Sequence, residues 1–235
     1  MISKNEIKQV KALAQKKFRD ERGLFVVEGE KMVAEALASG FEVVNIYRQS
    51  DIGEEAMERI TMLSSPSPVL ALVRIPAPEP LPEKTDGLVL ALDGLRDPGN
   101  VGTIIRLADW FGLDRIIASP DTVDIYNPKV VQATMGSIFR VRFSYCDLPP
   151  VLGALKGKGV RIYGTFLDGD DIYRSPLGAE GVVVMGSESH GISPAVEACV
   201  TDRLHIPSFS RGARAAESLN VAIAAAITCS EFRRR

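Results

Sequence analysis

The second half of the chain carries three clusters of polar residues whose types and spacing could support chemistry. The first holds Asn100 and Arg106, six positions apart. A guanidinium at such a place can bind a phosphate and stabilise negative charge. Gly94 and Gly99 match the glycine spacing of a P-loop, but Asn100-Val101 stands where that loop needs lysine and a hydroxyl residue, so no ATP site is indicated. The alternative is structural: Asn100 caps a helix and Arg106 lies on its surface.

The second cluster, residues 186–191, is an acidic turn with glycine at both ends. Ser187 stands two positions before Ser189, where the nucleophile elbow of a serine hydrolase needs glycine, and this excludes that class. Glycine lets a ligand approach the backbone closely, and Glu188 can then hold a polar group. The alternative is a plain turn between a strand and a helix.

The third cluster contains Ser218 and Asn220 and leads into an alanine-rich segment. Ser218 predicts the N-cap of a helix that is apolar on all sides and therefore buried. Asn220 then falls in the first turn of a buried helix. Its amide needs partners there, and a ligand can supply them.

Composition excludes several other kinds of site. The 235 residues include only two histidines and three cysteines, without a C-x-x-C pair, which disfavours zinc sites and Ser-His-Asp schemes. No G-x-G-x-x-G sequence occurs, so a dinucleotide pocket is not indicated. We therefore expect chemistry without a metal.

The cysteine count and two further features of the sequence indicate the cellular location of the protein. Cysteines without a disulfide pattern favour a reducing compartment. The apolar stretch from Ser218 to Ser230 is shorter than the roughly 20 residues that span a bilayer. The chain starts with charged residues rather than an apolar signal segment. We expect a cytoplasmic protein with no membrane partner.

Alternating apolar strands and helical stretches predict the elements that position the three clusters. The predicted strands of the second half are Leu88 to Leu92, Arg115 to Ala118, Arg140 to Phe143, Val160 to Thr165, Val182 to Met185 and Arg203 to Ile206. Near-continuous apolar strands between helices indicate an α/β fold with a mostly parallel sheet covered on both faces. Each cluster follows a predicted strand, where open α/β sheets bind ligands.

The first part of the chain predicts a smaller α/β domain. Residues 4–18 have the spacing of an amphipathic helix, and residues 24–47 read as a β-α-β unit. Four prolines in residues 75–82 form a semi-rigid spacer. We therefore predict domains at 1–80 and 81–235, joined by a linker at about 75–86.

Charge is unevenly distributed. The net charge of −2 argues against a nucleic-acid binder, yet residues 1–22 hold seven basic and three acidic side chains. The basic residues that we consider for RNA binding are Lys8, Lys11, Lys16, Lys17 and Arg19. The alternative is a solvated helix face.

Taken in order, the three clusters resemble the three signature motifs of the SpoU family of RNA 2′-O-ribose methyltransferases, in the SPOUT class. The resemblance covers residues 88–233, and residues 16–30 resemble the family's N-terminal substrate-binding domain, which is similar to the ribosomal protein L30e fold. One departure is the link of ten residues, 208–217, between Pro207 and Ser218. Many family members have a shorter link there.

The resemblance implies a function and a set of roles. The cofactor is S-adenosyl-L-methionine, no metal is needed, and the substrate is RNA, ribosomal RNA before transfer RNA. The implied catalytic residues are Asn100, Arg106, Glu188, Ser218 and Asn220. The implied cofactor-binding residues are Thr165, Leu167, Gly186, Ile206 and Leu219. The family fold implies a C-terminal trefoil knot, and the family forms homodimers with the active sites at the interface.

Two points stay open at this stage. Arg106 acts either as a clamp that stabilises charge or as a general base, and a guanidinium is normally protonated, which favours the clamp. The protein is either a methyltransferase or a noncatalytic RNA-binding or ribosome-assembly protein that keeps the fold. The complete set of polar residues favours the enzyme, because a binding protein has no need of all of them.

Overall fold

The computed structural model describes residues 2–113, 115–210 and 216–234, which form two compact units. The first unit comprises Met1–Pro78 and Asp124–Arg140, and the second comprises Glu79–Val123 and Val141–Arg235. Each unit has its own sheet. None of the helices in the described ranges is long and apolar enough to cross a membrane.

Helices and strands alternate through most of the chain. The helices are α1 (Lys4–Ala12), α2 (Lys16–Arg22), α3 (Glu30–Ala38), α4 (Gln49–Ile52), α5 (Glu54–Ile60), α6 (Pro98–Trp110), α7 (Pro128–Thr134), α8 (Leu148–Gly157), α9 (Pro194–Glu197) and α10 (Val221–Arg234). The strands are β1 (Leu24–Glu28), β2 (Val43–Arg48), β3 (Val69–Arg74), β4 (Leu88–Asp93), β5 (Arg115–Ala118), β6 (Arg142–Tyr145), β7 (Ile162–Phe166), β8 (Asp170–Asp171), β9 (Gly181–Gly186) and β10 (Asp202–His205). A 3-10 turn spans Ser137–Phe139.

The sheet of the first unit has three antiparallel strands in the order β1-β3-β2. The strands β1 and β2 run in the same direction, as the β-α-β prediction requires. They do not pair with each other, because β3 lies between them. The sequence also predicts a strand at residues 69–73, but not that this strand lies between the other two.

The single amphipathic helix predicted over residues 4–18 is two helices. The helix α1 ends at Ala12 and α2 begins at Lys16. Between them the backbone carbonyls of Leu13 and Ala14 accept hydrogen bonds from Nη1 of Arg19, at 2.7 and 3.0 Å. The guanidinium therefore satisfies carbonyls that the break leaves without helical partners.

The segment 124–140 belongs to the first unit, although the sequence placed it within a continuous domain at 81–235. Val131, Ile138 and Phe139 are buried in a core cluster with Phe25 and its neighbours on β1 and β3. The ring centroid of Tyr126 lies 4.7 Å from that of Phe25. The core of the first unit is thus built from two distant parts of the chain.

The second unit is built on a seven-stranded parallel sheet in the order β6-β5-β4-β9-β7-β10-β8. Every residue of β4 is buried, as expected for a strand covered on both faces. The six predicted strands are all present, with ends shifted by at most two residues. The sequence analysis missed the two-residue edge strand β8, because so short a strand has no alternating pattern.

The order of the strands brings the three polar clusters to one edge of the sheet. The strands β4, β9, β7 and β10 are consecutive neighbours and all parallel. Their carboxyl ends lead to residues 94–97, 187–193, 167–169 and 206–220. Residues 211–215 of the long link lie outside the described residues. The prediction that the clusters share the carboxyl edge is confirmed for the described part of the chain.

Candidate active site

The helix α6 presents Asn100 from its first turn. Asp97 is the N-cap: its Oδ1 accepts a hydrogen bond from the amide of Asn100 at 2.7 Å, and Pro98 occupies the first helical position. The alternative that Asn100 caps the helix is therefore wrong. Because Asp97 performs the capping, the side chain of Asn100 is left for other partners.

Asn100, Glu188 and Asn220 form a hydrogen-bonded cluster. Oε1 of Glu188 accepts a bond from Nδ2 of Asn100 at 2.8 Å and one from Nδ2 of Asn220 at 2.9 Å. Nδ2 of Asn220 also lies 2.9 Å from Oδ1 of Asn100. Two amides thus hold one carboxylate oxygen. Within the described residues, Oε2 of Glu188 accepts no hydrogen bond, so it faces outward as a free acceptor.

Asn220 rather than Ser218 caps the last helix. Its Oδ1 accepts hydrogen bonds from the amides of Ala222 and Ile223, at 3.0 and 3.3 Å, and its carbonyl accepts from Ala224. Ser218 lies exposed two residues before this cap, and its side chain has no hydrogen-bond partner among the described residues. One side chain therefore starts α10 with its oxygen and joins the cluster with its nitrogen.

The acidic turn after β9 is closed by its own backbone. Ser187 and Gly191 exchange two hydrogen bonds, at 2.9 and 2.8 Å. A Cβ on Gly186 would lie only 2.2 Å from the carbonyl carbon of Gly191, so only glycine fits there. This packing and the two backbone hydrogen bonds define the turn that carries Glu188 into the cluster.

Four of the five predicted cofactor residues lie at or just after the ends of three neighbouring strands, and Leu219 lies just before α10. The Thr165 hydroxyl on β7 donates to the Val184 carbonyl on β9 at 3.1 Å. Leu167 and Leu219 are 70% and 48% exposed. Phe209, 83% exposed on the segment after β10, is a further apolar side chain that sequence reasoning missed. Its signal was weak, since an isolated phenylalanine in a loop has no periodic pattern.

Within the described residues, Arg106 forms no hydrogen bond with the cluster of its own chain. Six residues of helix advance about 9 Å and turn a side chain by about 120° away from the starting direction. Arg106 accordingly lies with Thr103 and Trp110 on the exposed face of α6, and Trp110 is 83% exposed. Of the five predicted catalytic residues, Asn100, Glu188 and Asn220 are joined by hydrogen bonds, whereas Arg106 and Ser218 form none with them among the described residues.

Two of the basic residues predicted for RNA binding serve the fold of the first unit. Arg19 is 2% exposed and its guanidinium pairs with Asp124 at 2.6 Å. Nζ of Lys11 donates to the Thr61 carbonyl. The buried position of Arg19 could not be predicted from periodicity. The spacing of apolar residues predicts one helix over residues 4–18, and the arginine that follows is therefore expected at the surface. Arg19 is therefore not available to bind RNA.

Lys8, Lys16 and Lys17 remain at the surface of the first unit. Lys16 and Lys17 form exposed ion pairs with Asp20 and Glu21, at 2.7 and 3.8 Å. Surface pairs of this kind contribute little to stability, so a phosphate can compete for these lysines.

Two of the three cysteines, Cys146 and Cys229, are buried. Burial raises the pKa of Cys146 to about 11 and that of Cys229 to about 12, which keeps both as inert thiols at neutral pH. Among the residues that the structure describes, no group of three His, Cys, Asp or Glu side chains is placed to hold a metal ion.

A cavity of about 600 Å³ lies at the opposite edge of the sheet, before β7 and β9. Lys84, Lys158 and Arg161 line it, but each already has a partner: Asp86, the Glu83 carbonyl and Asp202. Arg161 in turn lowers the pKa of Asp202. The cavity therefore has no connection with the polar cluster.

Comparisons with known proteins identify the family of both parts of the chain. Residues 87–230 match the SpoU rRNA methylase family, and residues 4–71 match an MRM3-like substrate-binding domain. The chain is 32% identical to the 23S rRNA (guanosine(2553)-2′-O)-methyltransferase RlmP of Bacillus subtilis, over 98% of this chain and 97% of that protein.

Two solved structures share the whole fold. One, described as an RNA methyltransferase of the TrmH family from Porphyromonas gingivalis, has a TM-score of 0.90 and 38% identity, and the match covers 100% of this chain and 99% of the other. The other is an AdoMet-bound rRNA methyltransferase from Sinorhizobium meliloti, with a TM-score of 0.86, 30% identity and coverage of 100% and 96%. The chain belongs to the SpoU family of RNA 2′-O-ribose methyltransferases and carries the family's MRM3-like substrate-binding domain at its amino terminus.

Proposed function

We propose that this protein transfers a methyl group from S-adenosyl-L-methionine to a ribose 2′-hydroxyl of ribosomal RNA, at a site built on Asn100, Glu188 and Asn220. The observation that carries this proposal is the hydrogen-bonded cluster, which joins three segments far apart in the chain at one edge of the sheet. The enzyme is an RNA 2′-O-ribose methyltransferase by family. Its methyl donor is S-adenosyl-L-methionine, the cofactor bound in a relative.

The residues at the strand ends fit this cofactor. Exposed apolar side chains, Leu167 and Leu219, lie beside polar backbone, which is the usual lining of a small-molecule site. Gly186 ends β9, and its missing side chain lets the backbone of Gly191 pack closely against it, which shapes the turn beside these residues. We assign the adenosine part to these residues together with Thr165 and Ile206. When bound, the cofactor supplies a methyl group that its sulfonium makes electrophilic.

The polar cluster and Arg106 act on the ribose. A 2′-hydroxyl is a weak nucleophile until its proton leaves or its oxygen anion is stabilised. Glu188, held by two amides, presents its second oxygen to orient a ribose hydroxyl. A guanidinium is a donor rather than a base. We therefore assign Arg106 to the phosphate beside the target ribose and to the developing negative charge.

Arg106 reaches this site from a second copy of the chain. Arg106 lies on the exposed face of α6, six residues along the helix from Asn100, and the helix α10 packs against α6. Trp110 and Ile223, 83% and 52% exposed, give these two helices an apolar surface, of a kind that often marks an interface. A two-fold dimer would cover that surface and place each Arg106 at the partner's cluster.

The first unit selects the RNA. It matches a substrate-binding domain and presents Lys8, Lys16 and Lys17 at its surface. The relative from Bacillus subtilis acts on a guanosine of 23S rRNA, which favours ribosomal RNA over transfer RNA for this chain. A ribosomal substrate also supports a cytoplasmic location. The trefoil knot of the family remains part of the proposal, with α10 as the helix that passes through a preceding loop.

The test is methyl transfer from labelled S-adenosyl-L-methionine to unmodified 16S and 23S ribosomal RNA transcripts, followed by mapping of the 2′-O-methylated position. We expect incorporation at one site, and loss of at least about 100-fold in rate for Asn100→Ala and Glu188→Ala, because charge-stabilising groups contribute on this scale. Cofactor binding without transfer to any cellular RNA would instead favour the noncatalytic RNA-binding protein.

A further inference from the structure

The turn after β9 carries two polar side chains that the proposed mechanism does not use. Ser189 and His190 follow Glu188 directly, and both are exposed. Oγ of Ser189 lies 2.7 Å from Nδ1 of His190, so the two share a hydrogen bond. This hydrogen bond favours one orientation of the imidazole.

The fold of the turn does not need this imidazole. The two backbone bonds between Ser187 and Gly191 close the turn, and the backbone amide of His190, not its ring, donates to Oγ of Ser187 at 3.1 Å. Within the described residues, Nε2 of His190 has no partner. An exposed ring that is oriented by a neighbour and contributes nothing to the turn is placed for a ligand.

Distance and charge identify that ligand. Two residues of chain span at most about 7 Å between Cα atoms, so His190 lies beside the Glu188 that orients the ribose. When the Ser189 hydroxyl donates to Nδ1, the neutral ring carries its hydrogen on Nε2 and becomes a donor. An RNA strand entering this site brings phosphates close to the Glu188 carboxylate. A donor two residues away offsets the resulting repulsion.

We propose that Nε2 of His190 donates to a phosphate oxygen of the RNA strand next to the target ribose, and that Ser189 orients the ring for this contact. His190 is thus a positioning residue for the RNA. The inference rests on the proposed function and deepens it. It predicts a contribution to the binding of RNA and none to the binding of S-adenosyl-L-methionine.

Two substitutions of His190 test the roles of its two ring nitrogens separately. His190→Gln places its amide nitrogen near the position of Nε2, whereas His190→Asn places its amide only near Nδ1. We expect His190→Asn to raise the KM for an unmodified 23S ribosomal RNA transcript by about ten-fold or more, since hydrogen bonds to charged groups are worth this much. The kcat should change less than two-fold, and His190→Gln should recover most of the lost affinity.

Controls distinguish this role from a general disturbance of the turn. The affinity for S-adenosyl-L-methionine, measured by calorimetry, should stay within two-fold of wild type in both variants. Lys156→Ala removes an exposed charge from the last turn of α8, at the opposite edge of the sheet, and should leave the KM for RNA unchanged.

Two results would overturn the inference alone: wild-type KM in both His190 variants, or equal losses in both together with weakened cofactor binding. The wild-type enzyme is assayed first on both ribosomal RNA transcripts. If it transfers no methyl group to either, the proposed function fails and this inference fails with it.

Discussion

Asn220 donates from Nδ2 to Oε1 of Glu188 across 2.9 Å, while its Oδ1 accepts from the first amides of α10. A single side chain therefore connects the start of the last helix to the acidic turn after β9. Asn220 therefore affects both the stability of α10 and the position of Glu188. An alanine substitution removes both contacts at once.

The first prediction concerns Asn220→Asp and Asn220→Ala. Asn220→Asp keeps an oxygen that caps α10 but turns a second oxygen toward Glu188, so methyl transfer should be lost with little loss of stability. Asn220→Ala should be inactive and also destabilised by about 1 kcal/mol, the usual cost of a lost cap. Urea unfolding and transfer assays measure the two effects. Equal stability of the two variants would contradict the capping role.

The second prediction concerns the shared site. Arg106→Ala and Asn220→Ala are each expected to be inactive. If Arg106 serves the partner's cluster, a mixed dimer has one site with both defects and one intact site. Random exchange of subunits should then restore about a quarter of wild-type activity. Verified exchange without recovery would place Arg106 in the site of its own chain.

The third prediction concerns removal of the first 78 residues. Val131, Ile138 and Phe139 are buried by residues of β1 and β3, so a chain that begins at residue 79 would expose them. Burial of each such side chain is worth about 1.5–3 kcal/mol. We expect this shortened protein to aggregate or to unfold at a lower temperature than the full chain. A soluble shortened protein with the same melting temperature and cofactor affinity would show that the segment 124–140 is dispensable.

The fourth prediction separates buried from exposed basic residues. Arg19→Ala breaks a buried ion pair with Asp124 and should cost about 3–5 kcal/mol of folding free energy. Lys17→Ala removes an exposed pair with Glu21 and should cost less than about 1 kcal/mol. Denaturant unfolding measures the free energy of unfolding of both variants. Similar small decreases in the two variants would show that Arg19 is not structurally required.

The fifth prediction concerns RNA binding by the surface lysines. Replacing Lys8, Lys16 and Lys17 together with glutamine should weaken binding to ribosomal RNA and reduce the dependence of the affinity on salt, because each phosphate contact releases counterions. Folding stability should be nearly unchanged. An unaltered salt dependence would return these lysines to a solvated surface without a role in binding.

Local pattern was enough to predict the elements that build the site. The strands β4, β9 and β7 are apolar runs ended by polar or glycine residues, and parallel strands bring their carboxyl ends together. Asn100 and Glu188 could therefore be assigned to turns that follow parallel strands, but the sequence did not show that these two strands, β4 and β9, are neighbours. The identity of the cap on α10 could not, because Ser218 and Asn220 are both good capping residues and only the geometry distinguishes them.

Long-range pairing accounts for the other differences. From the sequence alone, Arg19 is expected at the surface. Its burial is explained by the ion pair with Asp124, which lies 105 positions later in the chain. The segment 124–140 is likewise ordinary in composition, and nothing in its pattern indicates which core its apolar residues join. Periodicity reports which side of an element is buried, but not against what.

The division of the first unit between Met1–Pro78 and Asp124–Arg140 has a consequence for synthesis on the ribosome. The three strands of its sheet are complete once residue 74 has been made. The side chains that cover part of that sheet, Val131 and Phe139 among them, are translated only after another 57 to 65 residues, which belong mostly to the second unit. The nascent sheet therefore keeps an uncovered apolar surface while the chain elongates. The amino-terminal unit cannot complete its core until these side chains have been translated.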